Sequence, residues 1–173
     1  AIYQTKTEST FDGGEMTVNF QAMPGLGQLV RYDAEMDGFT FAAQAGIGTA
    51  FRATDRWLIA LDVKRYFWDD AISTIQVTGT GPSVAGAPPT IELPFVFDWQ
   101  DQWVIALGNE WRINDGLTLR AGYNFGENPV PDETLTPLFP ATTEHHLTLG
   151  AGITRGATTY ELALEHALNA SNT

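Results

Sequence analysis

Leu117, Leu119, Ala121, Tyr123 and Phe125 alternate with Thr118, Arg120, Gly122 and Asn124 before the chain breaks into GENPVP. A period of two puts the first set on one side of a β-strand and leaves an arginine among small polar groups on the other. The same alternation recurs along the chain, bounded by turn residues and without helical periodicity between, and predicts seven strands. The first covers Ile2 to Thr10. The second, Gly38 to Arg52, sets Phe39, Phe41, Ala43, Ala45, Ile47 and Phe51 against Gly46, Gly48 and Arg52. In the third, Trp57 to Phe67, Ile59, Leu61 and Val63 oppose Ala60, Asp62 and Lys64. The fourth, Trp99 to Arg112, places Trp99, Trp103, Ile105, Leu107 and Trp111 opposite Gln102, Gly108, Glu110 and Arg112. Leu117 to Phe125 is the fifth. In the sixth, His145 to Thr154, Leu147, Leu149 and Ile153 share a face, and in the seventh, Thr158 to Ala167, Tyr160, Leu162 and Leu164 oppose Glu161 and Glu165.

The connections alternate in length. ATDR, IND and RGA are short, and Asn114-Asp115-Gly116 has the chemistry of a tight hairpin. The stretches at about 11–37, 69–97 and 126–142 are long. The first of these either prolongs strands or forms a loop. The second contains TGTGPSVAGAPPT and predicts a long loop without a packed element. Because successive antiparallel strands reverse direction, the short turns fall at one end of the sheet and the long loops at the other. Outer-membrane barrels have that asymmetry, with short periplasmic turns and long extracellular loops.

Composition narrows the classes. The 173 residues suit one domain, and 9 Lys+Arg against 21 Asp+Glu give a formal charge of −12, which excludes a binder of nucleic-acid phosphates. Charged residues are only 17% of the chain, against about 25% in ordinary soluble domains, so part of the surface is expected to face something other than water. No run approaches the roughly 18 apolar residues of a spanning helix, and AIYQTKTEST lacks the basic start and apolar run of a signal peptide. Strands remain as the means of meeting a membrane, and their alternation is compatible with the mean hydropathy of −0.12. The absence of cysteine decides little by itself.

One face gathers Arg52, Asp62, Lys64, Glu110, Arg112, Arg120, Glu161 and Glu165 among glycines. The other is nearly all aliphatic, with Trp57, Trp99, Trp103, Trp111, Tyr123, Phe125 and Tyr160 near strand ends. Alternation alone equally describes a soluble antiparallel sheet with one wet face. Strands of about 9 to 11 residues or more, aromatic ends and unequal connections together predict an all-β, antiparallel transmembrane β-barrel.

The run WQDQWVIALGNEWRINDGLTLRAGYNFGENPVP, followed by HLTLGAGITR, resembles the C-terminal half of the FadL-type outer-membrane transporters for long-chain fatty acids and other hydrophobic compounds. YQTKTESTFDGGE and DRWLIALDVKRYFW extend the resemblance more loosely over nearly the whole chain. The resemblance implies a barrel of about fourteen strands, of which seven are visible here, with a hatch in the lumen and a lateral opening. It makes residues 1–173 the C-terminal part of one outer-membrane domain of a Gram-negative bacterium, with extracellular loops at about 11–37, 69–97 and 126–142. Seven strands leave two edges that lipid does not tolerate, so further strands are expected from a longer chain or another chain. The implied activity is passive transport of long-chain fatty acids or similar hydrophobic molecules, with outer-membrane lipid as the surroundings, no cofactor and no catalysis. A soluble β-sandwich or barrel that binds a hydrophobic ligand, a general porin and an outer-membrane enzyme are the alternatives.

Chemistry-bearing groups are few. There is no cysteine nucleophile, no GxSxG and no phosphate-cradling loop. Adjacent His145 and His146 point to opposite sides of a strand and so do not chelate one ion as HExxH does on a helix. Glu161 and Glu165 lie about 13 Å apart along a strand, too far for an acid/base pair. Arg120, Arg112, Arg52 and Lys64, with Glu110 beside them, are the candidate lumen-facing ligand contacts, because a guanidinium fork matches a fatty-acid carboxylate. The competing reading is a charge-neutralising network of these cations with Glu110, Asp62, Glu161 and Glu165.

Overall fold

A computed structural model describes residues 1–136 and 143–168. Its strands are β1 (Ile2–Gln4), β2 (Thr7–Asn19), β3 (Leu29–Phe41), β4 (Ala43–Thr54), β5 (Trp57–Phe67), β6 (Thr74–Thr80), β7 (Thr90–Val96), β8 (Gln102–Asn114), β9 (Leu117–Gly126), β10 (His145–Arg155) and β11 (Thr158–Ala167). They form two antiparallel sheets, a large one in the order β1-β4-β5-β8-β9-β10-β11 and a small one in the order β2-β3-β6-β7. The hairpin ends of the large sheet carry the expected turn chemistry. Asn114 Oδ1 accepts from the Gly116 amide at 2.9 Å, and Gly156 adopts φ 60°, which a side chain would resist.

Two sequence expectations need correction. The stretches 11–37 and 69–97 are not loops; they hold most of the small sheet, with β2 paired to β3 and β6 paired to β7. TIQVTGT and TIELPFV keep a period of two beneath a Gly/Thr/Pro-rich composition, and the turn at residues 69–73 and the tip between Gly81 and Pro89 match the expected loop. Pro94 is tolerated because β7 is an edge strand, where a missing N–H costs no ladder bond on its free side. The expected first and second strands are also interrupted, at Thr5–Lys6 and at Ala42, where the chain passes between the sheets. Trp99 precedes β8 and is buried, so it does not share the exposed apolar face of Trp103 and Trp111.

The buried hydrophobic side chains lie in or beside the small sheet. Phe20, Val30 and Tyr32 make one cluster, and Ile72, Ile75, Phe97, Trp99 and Val130 make another. The large sheet has no such core. Its register lines up Ile47, Val63, Ile105 and Phe125 in one row, and Leu61, Leu107, Tyr123 and Leu147 in the next, all on the same face. That face is uncovered: Ile47, Leu149 and Leu162 are 66%, 63% and 64% exposed. A soluble sheet buries such a face against a second layer, whereas a sheet in a bilayer leaves it for the acyl chains.

Candidate functional site

The opposite face of the large sheet brings three of the sequence candidates together. Glu110 on β8 pairs directly with Arg120 on β9, whose next neighbour is Gly150 on β10. Arg120 Nε donates to Glu110 Oε2 at 2.9 Å, and its Nη1 donates to Glu161 Oε1 at 3.0 Å, so the guanidinium reaches across β10 to β11. The crossing passes over Gly150 and Gly152; a Cβ at Gly152 would make ordinary contact with the pair, 3.6 Å from Arg120 Nη1 and 3.7 Å from Glu161 Oε1. Arg112 joins more loosely, its Nε 3.7 Å from Glu110 Oε1. Two cations and two carboxylates therefore balance on the polar face.

Lys64 and Arg52 stay outside this network. Lys64 lies with Asp62, Ile2, Gly46 and Gly48 around a depression of about 220 Å³, and among the described residues neither Lys64 nor Arg52 has an ion-pair partner. His145 and His146 do diverge as their adjacency requires. His145 Nδ1 meets Tyr123 Oη at 2.7 Å on the apolar face, while His146 Nδ1 meets Glu165 Oε1 at 2.8 Å on the polar face.

Aromatic residues mark both ends of the apolar face. Trp57 and Trp111 stack at 5.8 Å near the short turns, and Trp57 Nε1 donates at 3.4 Å to Asn109, an amide on the same face. Tyr3, Phe67 and Trp103 lie toward the other end.

Sequence reasoning missed an apolar cleft at the junction of the two sheets. The β3–β6 ladder ends at the pair Asp37 and Gln76, and the β4–β5 ladder begins at Ala43 and Phe67, so residues 38–42 lack a strand partner on that side. The cleft occupies this gap, about 180 Å³ in volume, walled by Phe39, Thr40 and Phe41 on one side and by Trp68, Ile72, Ile75, Phe97 and Trp99 on the other. Gly38 sets its edge with φ 83°, and a Cβ there would stand 2.5 Å from the Thr74 carbonyl oxygen. Edge-to-face contacts hold the walls: Trp68 and Trp99 at 5.1 Å, Phe39 and Phe41 at 5.3 Å. The signal available in the sequence was the alternation Ile75, Val77 inside a stretch whose composition looked like a loop.

Residues 1–167 match the sequence profile of the family described as outer membrane protein transport protein (OMPP1/FadL/TodX). The chain belongs to this family. Its place is the outer membrane of Gram-negative bacteria, and its architecture is that of a transmembrane β-barrel left unclosed by these strands. Among solved structures, the toluene transporter TbuX of Ralstonia pickettii is similar at 22% identity and a TM-score of 0.66, over 96% of this chain and 37% of TbuX. The P. putida toluene transporter TodX matches at 24% identity and a TM-score of 0.66, over 94% of this chain and 37% of TodX. A Pseudomonas aeruginosa FadL homologue matches at 18% identity and 0.65, over 94% and 38%. The chain thus spans well under half the length of these proteins, and at these identities the likeness is one of fold. Among curated proteins none matches.

Proposed function

We propose that strands beyond this sheet complete it to a closed barrel, and that the barrel admits hydrophobic small molecules by passive diffusion, with the junction cleft holding the molecule on its way in. The observation that carries this reading is the lining of the cleft, in which, among the described residues, Thr40 is the sole polar side chain beside five aromatic and two isoleucine residues. A cavity of about 150 Å³ lined by Leu, Ile and Phe stays dry and binds benzene, so a cleft of this size suits one aromatic ring or a short alkyl segment. Burial against apolar walls contributes roughly 25 cal/mol per Å² of ligand surface removed from water, with no charged group to require a polar head. TbuX and TodX are named as toluene transporters, in keeping with a neutral, ring-sized ligand.

Long-chain fatty acids are the second reading. Lys64, without an ion-pair partner among the described residues and beside apolar Ile2, supports a carboxylate contact on the lumen face. Arg120 supports it less, since both its Nε and Nη1 already serve carboxylates.

Equilibrium depletion of toluene vapour by the complete barrel in detergent tests the cleft. Saturable binding is expected in the natural protein and its loss in Ile75→Trp, which fills the cleft. Unchanged binding in a folded Ile75→Trp barrel would place the ligand elsewhere.

A further inference from the structure

Arg65 stands on the lipid-facing side of β5, with Ala45 and Trp103 as its cross-strand neighbours. Its guanidinium lies over the rings of Phe67 and Trp103, 5.3 and 5.4 Å from their centroids, and donates from Nε and Nη2 to Asp101 Oδ2 at 3.2 and 2.7 Å. A cation at the edge of the lipid band is stable when its stem covers apolar surface and its head is neutralised, and both conditions hold here.

Anchoring at the interface does not account for the other oxygen of the same carboxylate. Asp101 Oδ1 accepts from the backbone N–H of Asp69 at 3.3 Å, which fixes the turn following Trp68. The Trp68 carbonyl in turn accepts from the amides of Ala71 and Ile72 at 2.9 and 3.0 Å. The neighbouring Gln102 holds the indole, its Oε1 accepting from Trp68 Nε1 at 3.3 Å, while its own Nε2 is tied to the Glu127 carbonyl at 2.6 Å. Asp101 and Gln102 therefore grip Trp68 from its backbone side and from its ring. Trp68 and Ile72 are two walls of the cleft, yet neither Arg65 nor Asp101 touches it.

We propose that Arg65 and Asp101 are positioning residues that set the aperture of the cleft by holding Trp68, and so determine how large a hydrophobe it accepts. This rests on the reading of the cleft as a binding site. With the latch intact the walls admit a single ring. With the carboxylate removed, the 68–72 turn loses its tether at Asp69, Trp68 keeps only its Gln102 bond and its ring contacts with Tyr66 and Trp99, and the cleft accepts a wider body. Arg65 contributes by orienting Asp101, because its planar fork engages one oxygen with two donors and leaves the other oxygen for the Asp69 amide.

The test uses the complete barrel in detergent with two readouts. The first is the ratio of toluene to 1-methylnaphthalene affinity, which is expected to fall about tenfold in Asp101→Ala, the scale on which pocket dimensions discriminate small apolar differences. Arg65→Lys, which keeps the charge but loses the fork, is expected to fall between Asp101→Ala and the natural protein. The second readout is amide hydrogen exchange at Asp69, Ala71 and Ile72, which is expected to accelerate in Asp101→Ala while exchange in β8 to β11 stays as it was. Faster exchange with no toluene binding in any variant would keep the latch as a structural element, and would overturn both the cleft as binding site and the selectivity role given to Arg65 and Asp101. Intact toluene binding with an unchanged affinity ratio, or with unchanged exchange, would overturn the latch.

Discussion

Arg120 on β9 and Glu110 on β8 face one another in register across the lumen side of the sheet, Nε 2.9 Å from Oε2, and the same guanidinium reaches Glu161 two strands away. Both residues are partly open to solvent, Arg120 at 43% and Glu110 at 23% of the side chain, so the pair sits in a screened environment. The pair cancels charge on the polar face of the sheet.

The first prediction concerns this pair. A double-mutant cycle on Arg120→Ala and Glu110→Ala is expected to give a coupling of about 0.2–1 kcal/mol that weakens as salt is raised. Benzoate and toluene uptake are expected to change by the same factor in Arg120→Ala. A selective loss of benzoate uptake would make Arg120 a contact for the ligand's carboxylate.

A second prediction follows from the two faces. Leu149 lies on the apolar face near the middle of β10, and its neighbour Thr148 on the polar face. Leu149→Arg is expected to cost about 2–4 kcal/mol, and Thr148→Arg much less, in urea unfolding of the complete barrel from lipid vesicles. A larger cost for Thr148→Arg would show that the faces are assigned the wrong way round, and equal costs would contradict a lipid-facing side of this strand.

These faces were readable in the sequence because a period of two survives every strand of the large sheet; β5 and β11 run over the residues that alternation marks, Trp57 to Phe67 and Thr158 to Ala167. The small sheet was hidden for a physical reason. Gly79 and Pro94 and the Gly/Thr/Pro-rich composition of β6 and β7 weaken the local strand signal, although β2 with β3 and β6 with β7 are neighbours in sequence. Of the candidate site, the charges were visible but their partners were not. That Arg120 reaches across β10 to Glu161 follows from the register of three strands, which no single segment reveals. The cleft depends on a gap between two ladders, a feature no single segment encodes.

The third prediction concerns sidedness. The chain has no cysteine, so single introduced thiols report position without interference. Ala85→Cys at the β6–β7 tip is expected to react with a membrane-impermeant maleimide on intact cells, and Asp115→Cys at the β8–β9 turn only after the outer membrane is permeabilised. The reverse pattern would invert the topology.

The most direct measurement is the initial rate of toluene uptake against benzoate uptake in cells with and without the complete barrel, the two ligands sharing one ring and differing in charge. The account predicts that the barrel accelerates toluene entry, that Ile75→Trp removes most of that acceleration, and that benzoate entry is little affected. Acceleration of benzoate alone, or toluene entry indifferent to the barrel, would contradict it.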